Sequence, residues 1–108
     1  MAKFAIFFKF KAETIKAMMA NPSDRGAVVN KLCESAGGRM LAYYLMFGQW
    51  DGFVVFEVPD SAGAGAVSLA VTSTGAFGAI ETHELIDTAR FAAMLGSAGG
   101  LTYTPPGS

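Results

Sequence analysis

The sequence predicts a single α+β domain whose sheet keeps one apolar face for another molecule, and three observations predict it. Strand-like segments with period-two or continuous apolar character recur at four places. Helical segments with capping signals separate them. The second of the four strands is apolar on both faces. With 108 residues there is room for one domain, predicted to span residues 1–98, with residues 99–108 as an extended or disordered arm.

Lys3 to Phe10 places Phe4, Ile6, Phe8 and Phe10 on one parity and Lys3, Ala5, Phe7 and Lys9 on the other, the alternation of a strand with one wholly apolar face. Lys11 to Ala20 is predicted as a short helical turn or loop. Asn21-Pro22-Ser23-Asp24 then reads as a helix start: Asn21 as cap, Pro22 where its missing N–H does no harm, Asp24 as an early carboxylate. That helix carries Val28, Leu32 and Ala36 on one face and stops at Gly37-Gly38.

Arg39 to Phe47 is the second strand, with Met40, Ala42, Tyr44 and Met46 on one side and Leu41, Tyr43, Leu45 and Phe47 on the other. The turn Gly48-Gln49-Trp50-Asp51-Gly52 leads into a third strand, Phe53 to Val58, making a hairpin. Pro59 ends it. Asp60 or Ser61 caps a helix of small residues reaching about Val71. A fourth strand runs from Ala79 to Ile86, and Asp87 caps a last helix through Leu95, whose apolar edge is Phe91, Met94 and Leu95.

The order β-α-β-β-α-β with a C-terminal helix is the split-βαβ, ferredoxin-like pattern. Both helices then cover one sheet face. The other carries one of the two apolar sets of the second strand, and leaving several such side chains wet forgoes several kcal/mol at ~25 cal/mol per Å². Such a face usually marks an interaction surface, and a second copy of the chain is the simplest cover. A homodimer or higher oligomer is therefore expected.

Composition narrows the function classes. The net charge of −1, with charges scattered, leaves no basic stripe for a nucleic-acid partner. Apolar runs broken by Lys9, Gln49, Asp51 and Glu57 fall short of a membrane helix, and Met1 to Ile6 reads as a strand rather than an export signal. A single cysteine, Cys33, fits a reducing, cytoplasmic setting. One histidine and one cysteine cannot build a zinc site, and no glycine-rich segment sits between a strand and a helix, so neither metal nor cofactor is expected.

Tyr44, Gly48-Gln49-Trp50-Asp51, Glu57-Val58-Pro59-Asp60, Gly75 and Glu81-Thr82, with Arg25 and Gly37-Gly38, resemble the pattern of the GYD-domain family. The resemblance covers roughly residues 3 to 86 and is strongest from Phe47 to Asp60. Trp50 stands where that family has tyrosine, Met46 where it commonly has threonine, and His83 where it usually has an apolar residue. The resemblance implies a dimeric α+β barrel in which two open sheets close on each other. Relatives sharing only the barrel include cofactor-independent monooxygenases and isomerases.

Few residues could carry chemistry. His83, the only histidine, is a candidate acid or base, or else an edge-strand polar cover. Trp50 and Asp51 could wall a pocket and orient a ligand; in the structural reading Asp51 holds the turn. Glu57 sits among apolar strand residues, with Lys3 expected opposite it and Lys9 near Asp51, either as ion pairs or as a polar patch inside the barrel. Arg25 is set against the helix dipole, which points to an ion pair, an anionic ligand or plain solvation. Cys33 reads as inert packing. Three functions follow: a homo-oligomeric binder of an apolar or aromatic molecule in the barrel lumen, with Tyr44, Trp50, Asp51, Glu57 and Arg25 as ligand contacts; a cofactor-independent oxygenase or isomerase acting on a polyketide-like or quinol substrate through His83; or an assembly protein using the arm at Leu101-Thr102-Tyr103.

Overall fold

The computed structural model describes residues 1–108. Four strands and four helices follow one another as β1 (Ala2–Phe10), α1 (Ala12–Ala20), α2 (Gly26–Ser35), β2 (Arg39–Leu45), β3 (Gly52–Val58), α3 (Ser61–Ser73), β4 (Phe77–Leu85) and α4 (Thr88–Gly99). The strands form one antiparallel sheet in the order β2-β3-β1-β4, so the first and third strands are central, as ferredoxin-like topology requires. No helix is long and apolar enough to cross a membrane.

The core lies between the sheet and the helices. Phe4 and Ile6 of β1 and Val54, Phe56 and Val58 of β3 meet Cys33 of α2 and Ala64 and Val67 of α3. Phe56 is fully buried, its ring 5.9 Å from that of Phe4. Asp60 caps α3 by accepting from the Gly63 N–H at 3.1 Å, and Asp87 caps α4 by accepting from the Arg90 N–H at 2.8 Å. Gly37, with φ of 85°, closes α2: its N–H donates to Glu34 and that of Gly38 to Cys33.

The structure corrects four expectations. Residues 12–20 form a full helix, α1, and Asn21 closes it by donating its N–H to the Ala17 carbonyl instead of capping the next one. Pro22 disfavours helical backbone in the residue before it, and the Asp24 carboxylate accepts from the Gly26 N–H, so α2 starts at Gly26 with Arg25 in the cap position. Consequently the inward stripe of α2 is Val29, Leu32, Cys33 and Ala36, while Val28 is 49% exposed. Finally, α4 continues to Gly99, past Leu95.

Strand β2 resolves the two-faced alternation by mixing the sets. A bulge between Met40 and Ala42 opposes Met40 to Phe56 and Ala42 to Val55. Met40 and Tyr43 therefore pack inward on the core, and Ala42 and Tyr44 share the helix-free face with Val55 and Phe53. The Asn30 side chain of α2 accepts from the Met40 N–H at 3.2 Å, tying α2 to the bulged strand. The strand ends at Leu45, two residues short of the expected Phe47, whose side chain is wholly exposed.

The outline is extended. The radius of gyration is 17.4 Å, against ~13 Å for a compact chain of this length. The surface is 7374 Å², against ~5,700 Å² for a compact monomer of this mass. Only 11 of 108 residues are buried, and none lies in α4, which projects beyond the body.

Candidate functional site

The residues singled out from sequence divide between the two sides of the sheet. On the helix-free face, Phe7 stands at the centre. Its ring lies 5.6 Å from Phe53, 6.3 Å from Trp50 and 6.1 Å, edge-on, from His83, and Tyr44 stacks obliquely on Phe53 at 5.9 Å. Tyr44, Trp50 and His83 are thus brought together. The His83 side chain is 54% exposed; its Nε2 lies 3.2 Å from Oε2 of Glu81, two residues away on the same strand face. His83, Tyr44 and Trp50 line neither of two hollows, of about 530 and 330 Å³, that the chain encloses elsewhere.

Asp51 and Glu57 sit at opposite ends of that face. Asp51 accepts from the Phe10 N–H at 2.8 Å, where β1 loses register with β4, and lies 3.8 Å from Lys9, while its own N–H donates to Phe8. Lys3 does stand opposite Glu57 in register, but the ion pair of Glu57 is with Arg39 on the other neighbouring strand, at 2.7 Å. Asp51 thereby holds the end of β1 to the hairpin turn. Asp51→Ala leaves the partly buried Phe10 N–H without its acceptor, and we expect a loss of about 1–3 kcal/mol in denaturant unfolding. An unchanged midpoint would show that the carboxylate is not structural.

Arg25 lies on the other side, at a cavity of about 530 Å³ between the sheet and helices α1, α2 and α3. Phe8, Tyr43 and Val54 form its floor, and Met18, Val29 and Val71 come from the three helices. The space follows from the sequence. Beyond the buried Ala64 and Val67, the inward face of α3 gives the cavity wall only the short side chains of Ala70, Val71 and Thr74. Helix α1 forms the end wall, held because Thr14 Oγ1 donates to the Ala76 carbonyl at 2.7 Å and the Lys11 N–H to the same oxygen at 3.1 Å. A second hollow of about 330 Å³ shares Phe10, Met18, Ser23, Arg25 and Tyr43 and forms an outer mouth.

Sixteen of the twenty-one residues lining the larger cavity are hydrophobic, and Arg25 is the one charged residue among them. Arg25 takes part in none of the chain's ion pairs. Burial pushes the Tyr43 hydroxyl up from the usual phenol range; the positive charge of Arg25 opposes that and the carboxylate of Asp24 adds to it. At neutral pH the tyrosine is therefore an uncharged hydrogen-bonding group beside a free guanidinium. The Cys33 thiol, in the same wall, is also pushed up by burial, which keeps it protonated and inert. Size, apolar lining and a few polar groups are the attributes of a small-molecule site.

Of the residues expected as ligand contacts, Arg25 lines this cavity; Tyr43, not among them, lines it too, because the parity that turns it inward depends on the bulge. Tyr44 and Trp50, expected as contacts in a barrel lumen, stand on the sheet face away from this cavity. No group of histidine, cysteine, aspartate or glutamate side chains is arranged to hold a metal.

Among known proteins, the family model described as GYD domain matches residues 4–95. Curated proteins give no match. Among solved structures, the chain is similar to MupZ from Pseudomonas fluorescens at 14% identity, with a TM-score of 0.42 over 99% of this chain and 97% of that chain.

Proposed function

We propose, from the premise that this chain belongs to the GYD-domain family, that it is a homo-oligomeric protein binding a small apolar or aromatic molecule with an acceptor or anionic end. The observation that carries this reading is the apolar cavity with the unpaired Arg25 as its one charge. The ligand's body lies on Phe8, Val54 and Val29, and its polar end meets Arg25 and the Tyr43 hydroxyl. In this reading the helix-free face, with Phe7, Phe53, Tyr44 and Trp50, is contact surface between copies. The ligand site moves from the barrel lumen to the space under the helices, where a single chain already bounds it.

Anilinonaphthalene sulfonate, an aromatic anion that brightens in apolar surroundings, tests this. We expect saturable binding to the parent chain, weakened about tenfold by Arg25→Ala, the loss of one charge-assisted hydrogen bond. Ala70→Phe, which fills the cavity from α3, is expected to abolish it. Parent-like titrations of both variants would overturn the assignment.

One observation favours the second reading, an oxygenase or isomerase: His83 lies edge-on to Phe7 within the aromatic group. That reading needs another subunit to exclude water from a half-exposed imidazole. It predicts that His83→Ala abolishes turnover of an aromatic substrate, whereas the binding reading predicts an unchanged dye titration in His83→Ala.

A further inference from the structure

We infer that α4 and the tail behind it are exchanged between subunits, each arm packing against the body of a second copy of this chain. The inference rests on the reading of the protein as a homo-oligomer and adds the element that joins the copies.

The arm is built as a helix, not left as a frayed end. Asp87 caps it, and Arg90 Nη1 reaches back to Glu84 Oε2 at 3.0 Å, fixing its departure from the edge strand β4. Yet no residue of α4 is buried. Phe91, Met94 and Leu95 lie at i, i+3 and i+4 on one helix edge, and they are exposed, as are Leu101 and Tyr103 beyond. A short helix without tertiary cover is marginal in water, so this one needs a surface outside its own body.

Charge and area select the occupant. From Phe91 to Ser108 there is no charged side chain, and Arg90 is already paired, so the arm lacks the cationic face of a membrane-surface helix. It suits an apolar patch on a protein surface, and the chain itself carries one: Phe7, Phe53 and Tyr44 stand partly or largely exposed on the open face, with the charged Lys9, Asp51, Glu57 and Glu81 around them. The chain exposes ~1,600 Å² more than a compact monomer of its mass. Two chains each burying that amount would lose ~3,200 Å² in total, within the range of obligate homodimers. Five large apolar side chains losing ~100 Å² each, with the surface they cover, supply a major share of it.

The test is an NMR sample mixing carbon-13-labelled and unlabelled full-length chains, with contacts filtered for those between chains, alongside sedimentation of Phe91→Asp/Leu95→Asp. The expected results are inter-chain contacts from Met94 and Leu95, and a dissociation constant raised at least tenfold in the double variant with circular dichroism unchanged. Contacts from Met94 and Leu95 solely within one chain overturn arm exchange, as does a parent-like dissociation constant in the variant, while the dimer itself stands. A parent chain that sediments as a monomer, with or without binding to phosphatidylglycerol vesicles, overturns both the arm exchange and the homo-oligomer beneath it.

Discussion

Gly38→Ala is expected to leave the chain unable to fold. A β-carbon at this position would lie 1.7 Å from the carbonyl oxygen of Glu57 and 2.7 Å from its carbon, and both atoms belong to the backbone of the central strand β3. No rotamer change relieves such a contact. Either β2 and β3 part or α2 lifts from the sheet, and the penalty exceeds about 4 kcal/mol, most of the stability of a marginal domain. Gly96→Ala is the control: a β-carbon there meets nothing within 4 Å, and in a helix it should stabilise by about 0.5–1 kcal/mol. Far-ultraviolet circular dichroism of the two purified variants checks this. A soluble Gly38→Ala with the parent spectrum and unfolding midpoint would contradict the close approach of Gly38 to β3.

Phe56→Ala is expected to cost about 3–5 kcal/mol, because the ring is fully buried, stacks on Phe4 and contacts the core from the middle of the sheet. For a domain of this size that corresponds to a fall in melting temperature of roughly 15–30 °C, readable by calorimetry. Phe47→Ala, at a side chain wholly in solvent, should change it little. A loss below about 1 kcal/mol at Phe56 would mean that the core lies elsewhere.

What could be read from the sequence was what neighbouring residues decide. The alternation of Phe4, Ile6 and Phe8 against Ala5 and Phe7 foretold the two faces of β1, since side-chain period in a strand needs no tertiary information. Asp87 caps the helix it was expected to cap, Asp60 proves to be the cap of α3 where Asp60 or Ser61 was expected, and Gly37-Gly38 stops α2, because caps are made within four or five residues. Membership of the GYD-domain family was legible in the hairpin and its flanks.

What could not be read depends on partners distant in sequence. Asn21 looked as suitable a cap as any, but the competing Asx turn at Asp24 moved the helix start to Gly26. The bulge at Leu41 is stabilised from Asn30, so neither parity of β2 alone predicts that Tyr43 faces the helices. The cavity is bounded by the sheet and three helices far apart in sequence, and a space has no sequence signature of its own. Of the candidate residues, Arg25 reaches it, whereas Tyr44, Trp50 and His83 gather on the opposite face.

Val54 and Val55 are neighbours in β3 that face opposite sides of the sheet, which makes their methyl groups a direct gauge of where a ligand sits. Nuclear Overhauser contacts from bound anilinonaphthalene sulfonate to methyl groups of the full chain therefore test the central claim. The predicted result is contact with Ile6, Val29, Val54 and Val67, lining the cavity under the helices, and none with Ala5, Val55 or Leu85. Contacts with Ala5, Val55 and Leu85 in place of the first set would put the ligand on the open sheet face and contradict it.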